Sequence, residues 1–215
     1  MRRPLWLSRE GRKLRKIWRP TRKVFDFNKA INVQSFLVRG CVGGKVYSSF
    51  PVERAFEQIK KLSLRDKAKL RNYLLECLNP KGDILQDKRQ SGNAAELLSH
   101  LKNKAVFNAY KEVLLDSGQQ PPYTRERCAH NIGKFKTRQA GDVLVEAIKR
   151  EKTSRVLKNC LIGLGFTGKK RYGPILVSFL DHPRAMCRDS AAIGVRMLGY
   201  NPASEADLAQ LKKKR

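Results

Sequence analysis

From Pro51 onward, apolar positions recur with the period of a helix. Val52, Ala55, Phe56 and Ile59 stand at i, i+3, i+4 and i+7, one face of an amphipathic segment. Leu64, Ala68, Leu70, Leu74, Leu75 and Leu78 continue the stripe to Asn79-Pro80, a helix stop. Residues 80–92 are polar, contain Gly82 and Gly92, and read as a loop. A third stretch carries Ala94, Leu97, Leu98, Leu101, Val106, Ala109, Tyr110, Val113 and Leu114, closing at Ser117-Gly118. It reads as one helical run, followed by a break at Gln119–Pro122. Residues 30–50 depart from this rhythm. Two short β-branched runs interrupted by Gly40, Gly43 and Gly44 predict a hairpin or an extended connector there.

The remainder repeats. A shift of 32 lays Cys128 on Cys160, Ile132-Gly133 on Leu164-Gly165, Gly141 on Gly173 and Val143-Leu144 on Ile175-Leu176. A third copy follows a two-residue insertion, with Gly194 in the place of Cys160 and Leu198-Gly199 in that of Leu164-Gly165. Units of this length predict stacked helix pairs, each burying its apolar face on the next. In each unit the first helix is expected to end on the apolar-Gly step, where glycine can take positive φ. The small residues Cys128, Cys160 and Gly194 mark close helix contacts. The second helix is expected to start near Gly141, Gly173-Pro174 and Ser204, the last with Glu205 and Asp207 in its first turn. The polar positions Glu205, Asp207, Gln210 and Lys212 read as a cap on the stack.

The stretch Val177–Gly199 carries Leu180-Asp181, Arg188, Ala191-Ala192 and Leu198-Gly199. With these residues the region 123–215 resembles the HEAT-like helical-repeat family, in the short form also found in phycobilin lyases. The first copy departs from the family pattern at Asn131 and Lys134. The resemblance implies an all-α fold, a short α-solenoid of HEAT-like pairs, and a binding surface rather than a reaction. The expected organisation is a basic extended arm or connector over 1–50, a helical region over 51–118 and HEAT-like repeats over 119–215.

Charge then narrows the partner. The chain of 215 residues has 46 Lys and Arg against 19 Asp and Glu, a net charge of +27. Ordinary soluble domains carry a net charge of about 2–8; this one would repel itself without an acidic partner. The excess is uneven: residues 1–50 hold 13 basic and 2 acidic side chains, 51–118 hold 13 and 9, and 119–215 hold 20 and 8. The five cysteines form no CxxC pair and the three histidines no ligand spacing, so neither a disulfide framework nor a metal site is expected. No apolar run approaches the roughly 20 residues that cross a bilayer.

The candidate phosphate-binding residues form two groups. Arg2, Arg3, Arg9, Arg12, Lys13, Arg15, Lys16, Arg19, Arg22 and Lys23 crowd the N-terminus, interleaved with Trp6 and Trp18. That composition suits an RNA-binding arm, with Trp stacking on bases, and equally an organellar transit segment or a plain tail. Lys134, Lys136 and Arg138 fall in the turn within the first repeat, and Lys169, Lys170 and Arg171 in the equivalent turn of the second. Stacking would align the two turns into a cationic ridge able to follow a phosphate backbone. Arg125, Arg127, Arg155, Lys158 and Arg188 could extend it, with Arg155 and Arg188 equally suited to structural bonds. Gly163-Leu164-Gly165-Phe166-Thr167-Gly168 spells GxGxxG but follows a helix, so it fails the dinucleotide test. Cys128 and Cys160 read as core thiols, and no GxSxG, Walker or HExxH spacing occurs. No cofactor and no small-molecule substrate is expected. HEAT-like DNA glycosylases would need an acid in a basic concavity, for which Asp142 and Asp189 are the candidates.

The expectation is a non-catalytic, RNA-contacting structural protein of a ribonucleoprotein such as an organellar ribosome, located in the mitochondrial matrix, with RNA and neighbouring proteins as partners. The alternative is a HEAT-type scaffold of the cytoplasm or cytoskeleton, docking on an acidic protein polymer such as a microtubule.

Overall fold

A computed structural model describes residues 25–39, 52–78, 88–116 and 120–213. These residues are all-α: eleven α-helices and two short 3-10 turns, with no strand among the described residues. The helices are α1 (Ile31–Arg39), α2 (Val52–Lys61), α3 (Leu64–Leu78), α4 (Lys88–Leu98), α5 (Lys104–Leu115) and α6 (Pro122–Gly133). They continue as α7 (Arg138–Arg150), α8 (Ser154–Phe166), α9 (Gly173–Ser178), α10 (Ala185–Met197) and α11 (Glu205–Lys213).

From α3 onward the helices alternate between two layers. The even helices α4, α6, α8 and α10 pack side by side, each against the next, and α6–α8 and α8–α10 are the most extensive contacts. The odd helices lie against them: α5 on α6, α7 on α6 and α8, α9 on α10, while α11 rests on α9. The apolar stripes meet between the layers. Leu97, Leu98, Val106, Tyr110, Ile132, Leu144, Leu161, Leu164 and Leu176 are buried there. Tyr110 spans the interface, and its hydroxyl donates to the Ala95 carbonyl at 2.6 Å.

Residues 25–39 are not a hairpin. A 3-10 turn at Phe27–Ala30 leads into α1, which packs on α2 and α4 and buries Phe25, Ala30, Val33 and Leu37. Ala30, Val33 and Leu37 stand at i, i+3 and i+7, a helical stripe inside a β-branched run, and burial overrides the modest strand preference. Asn93 fixes the end of α1 by donating to the Phe36 and Leu37 carbonyls at 3.2 and 3.3 Å. Residues 1–24 and 40–50 lie outside the described residues, and with them most of the expected arm.

The run expected as one helix over 93–118 is two. Asn103 Oδ1 accepts from the Val106 amide at 2.9 Å, an N-cap that opens α5 after the turn 99–103. Helix α4 also begins earlier than expected and includes Gly92, where a Cβ would meet the Tyr123 ring at 2.2 Å.

Two glycines expected as helix stops serve another purpose. Gly133 and Gly165 lie within α6 and α8. A Cβ on Gly133 would stand 2.2 Å from the Gly163 carbonyl oxygen, and one on Gly165 2.7 Å from Gly194 Cα. They are selected by backbone-to-backbone approach of neighbouring even helices. Helix α6 does end on its Ile132-Gly133 step, but positive φ occurs instead at Lys136 (57°), Gly168 (65°) and Gly199 (85°), so only the third copy's glycine takes the positive φ expected of the stop. Gly141 likewise sits inside α7, because its missing Cβ leaves room for the Tyr172 ring. Ser204 caps α11 as expected, its Oγ accepting from the Asp207 amide at 3.3 Å.

Candidate nucleic-acid interface

Alternation between layers sorts the turns onto two edges. Turns leading from an even to an odd helix are 99–103, 134–137 and 167–172, with 198–204 closing the row. Side chains confirm that they neighbour one another. Lys102 Nζ donates to the Lys134 carbonyl at 3.0 Å. Lys134 Nζ stands 5.8 Å over the Phe166 ring, and Lys170 Nζ 5.0 Å over Tyr200.

The first three of these turns and the first residues of the helices they open hold Lys102, Lys104, Lys134, Lys136, Arg138, Lys169, Lys170 and Arg171, and no Asp or Glu, whereas the closing turn opens α11 on Glu205. The nearest acids are already engaged. Asp142, one turn into α7, pairs with Arg138 at 3.7 Å and accepts from the Tyr172 hydroxyl at 2.8 Å. Glu96 accepts from Arg127 at 3.4 Å and from Asn131 at 3.3 Å. The opposite edge differs: its turns contain Asp116, Glu151 and Asp181 beside Lys152 and Arg184. Among the described residues, the first three turns of one edge carry cations without acids, while the turns of the opposite edge carry both signs.

The sequence candidates Lys134, Lys136, Arg138, Lys169, Lys170 and Arg171 all lie on this cationic edge. All but Lys134 are exposed. Lys134 is half-buried; its ammonium donates to Asn131 Oδ1 at 2.8 Å, and Asn131 itself donates to the Ala95 carbonyl. The two departures from the repeat pattern in the first copy are therefore one hydrogen-bonded device that ties α6 to α4. Burial lowers the Lys134 pKa, and the charges of Lys102 and Arg127 lower it further against the opposing effect of Glu96. Burial followed by the Lys136 charge lowers that of Lys102. Burial and the Lys134 charge hold His130 down to about 4, so its imidazole is neutral.

Lys102 and Lys104 are not legible as site residues in the sequence, because the apolar stripe runs unbroken through the turn that presents them. The signal was Asn103, a strong capping residue between two lysines. The ten N-terminal candidates, Arg2 to Lys23, and Trp6 and Trp18 lie outside the described residues.

Two of the other expected contributors, Arg125 and Arg188, are structural. Arg125 is buried and forms a two-armed contact with Glu151, Nε to Oε2 and Nη2 to Oε1 both at 3.2 Å, across the α7–α8 turn. Arg188 donates to the His182 and Pro183 carbonyls at 2.9 and 3.0 Å. Arg184 binds the Lys152 carbonyl and Ser154 Oγ. Arginines on this second edge thus close turns. Cys128 and Cys160 are fully buried with thiols pushed well up by burial, as expected of core residues. Asp189 rims an open groove between α9, α10 and α11, beside Asp181 and Arg188. No cluster of His, Cys, Asp and Glu suited to a metal occurs among the described residues. No helix among them is long and apolar enough to cross a membrane. No family model matches the sequence, and no curated protein is significantly similar to it.

Proposed function

We propose that the protein is a non-catalytic, RNA-contacting structural component of a large ribonucleoprotein, such as the ribosome of the mitochondrial matrix. In this reading the two-layered helices are a short HEAT-like α-solenoid, and residues 1–24 are a basic arm that inserts between RNA elements. The observation that carries it is the run of three successive turns without acidic residues, which places lysines and arginines side by side. A surface without a polyanionic ligand gains stability by interspersing both signs. A surface that neutralises phosphates gains affinity by excluding acids.

The test is sedimentation of a mitochondrial extract with and without RNase. Migration with ribosome-sized particles, lost after RNase, is the expected result. Reversal of Lys169, Lys170 and Arg171 to Glu should release the protein to the top of the gradient. A large assembly that survives RNase would overturn the reading in favour of a scaffold on an acidic protein polymer, and absence of any large assembly would overturn it outright.

A further inference from the structure

The cationic edge is built as a ladder. A lysine of each of its first three turns stands over a ring supplied by the next unit: Lys102 over Phe135 at 5.9 Å, Lys134 over Phe166 at 5.8 Å and Lys170 over Tyr200 at 5.0 Å. Arg171 adds a contact within its own turn, 5.6 Å from the Tyr172 ring centre. Each ring attracts its cation through the negative charge of the π face. The ammonium groups are thereby held before any ligand arrives, and the entropy normally lost on binding by a long flexible side chain is reduced. One donor of Lys102 and one of Lys134 is used inside the protein. A lysine has three donors, so the rest stay available.

The same rings are unsuited to stacking. Phe135 also makes edge contacts with Phe107 at 5.4 Å and Tyr110 at 6.3 Å. Phe166 meets the His130 ring at 5.0 Å, and His100 is stacked on Phe56 at 3.7 Å. Tyr172 and Tyr200 are buried. Proteins that grip single strands offer open aromatic faces to unstacked bases. This edge has cations at fixed spacing, and its rings are already engaged.

We propose that the cationic edge holds the sugar-phosphate backbone of double-helical RNA and leaves its bases unread. The inference rests on the RNA-contacting reading above and specifies the form of RNA. A rigid row of cations suits the rigid phosphate spacing of an A-form duplex, whose deep major groove is closed to side chains. A flexible strand would have to be ordered on the row with no stacking to compensate.

The experiment measures binding of the full chain to a labelled duplex RNA of about 16 base pairs, a span typical of duplex-binding domains, and to one of its strands, over a range of salt. The same titrations are made with the triple variant Lys102→Gln, Lys134→Gln, Lys170→Gln. The expected result is a loss of duplex affinity of at least about tenfold, with the log–log salt slope falling by about 2.7, or 0.9 for each lost phosphate contact. Single-strand affinity should change by less than about twofold, and scrambling the duplex sequence should change nothing. If single-strand affinity falls as much as duplex affinity, or neither changes, the inference is overturned while RNA contact stands. If the unaltered chain binds neither RNA, the functional reading itself fails. Circular dichroism verifies folding. Should Lys134→Gln unfold the chain, the exposed pair Lys102→Gln, Lys170→Gln keeps the test, with an expected slope change of about 1.8.

Discussion

Gly133→Ala is the substitution on which the helix row can be tested most directly. Two effects oppose each other. Alanine is the better helix former by up to about 1 kcal/mol in a helix interior, and Gly133 is the last residue of α6, so propensity alone predicts a protein at least as stable. Against this, the new Cβ would lie 2.2 Å from the Gly163 carbonyl oxygen, 2.7 Å from its carbonyl carbon and 2.8 Å from its Cα. All three are backbone atoms of α8, so no rotamer change relieves the clash. Opening the shortest contact from 2.2 to 3.0 Å requires the helices to part by about 0.8 Å. That movement loosens one of the two largest helix contacts in the molecule. Overpacking of this kind costs about 1–3 kcal/mol, and a rigid backbone-on-backbone contact belongs at the upper end. Subtracting the propensity gain leaves a net loss of about 2 kcal/mol, or a Tm lower by about 4–8 °C for a chain of this size. Urea unfolding followed by helical circular dichroism measures it, with an unchanged slope showing that the denatured state is the same. A Gly133→Ala protein as stable as the parent, or more stable, would refute the close approach of α6 and α8.

Lys136 has a φ of 57° where its counterpart one repeat later is Gly168 at 65°. Lys136→Gly removes a left-handed penalty of about 1–2 kcal/mol and adds about 0.5–1 of unfolded-state freedom, so the urea midpoint should rise by the equivalent of about 0.5–1 kcal/mol. Glu151→Gln leaves the Arg125 charge buried without its counter-ion; a loss of about 3–5 kcal/mol is expected in the same assay. A loss below about 1 kcal/mol would mean the guanidinium is solvated. His130 is held neutral, with its pKa down to about 4, whereas the unfolded imidazole titrates near 6.5. The unfolded state therefore takes up the proton first, so this contribution to stability is complete above about pH 6.5 and is lost as pH falls towards 4. His130→Gln should flatten that part of the acid limb of the urea midpoint; an unaltered limb would show that the imidazole is solvated.

Much of this architecture is legible in residue spacing, and the exceptions share a cause. The 32-residue register located the turns bearing Lys134 and Lys169 because Cys128, Cys160 and Gly194 occupy matching places on α6, α8 and α10. Apolar periodicity found α2 and α3. It failed at 99–103, where Leu98 and Leu101 keep the stripe running through a turn because both are buried. Periodicity reports which side faces the core, and a tight turn between two packed helices can keep that side unbroken. The same limit applies to Gly133 and Gly165. A glycine near a helix end satisfies a chain-reversal rule and a close-packing rule equally well, and only the position of α8 or α10 distinguishes them. Arg125 reads as surface charge in the sequence because Glu151, its partner, is 26 residues away.

The two edges deal with repulsion between like charges differently. Neighbouring even helices lie about 8–10 Å apart, so cations on successive turns sit near one Debye length from each other at physiological salt. Their repulsion is incompletely screened. The other edge illustrates the usual remedy: Glu151 and Asp181 accompany its cations, and Arg184 and Arg188 are spent on backbone carbonyls. The cationic edge has none of those acids, and its lysines are steadied by rings and carbonyls that leave their charge intact. A polyanion that binds the folded chain offsets the repulsion and stabilises the fold by mass action. In the proposed complex, phosphates would supply the counter-charge that the opposite edge draws from Glu151 and Asp181.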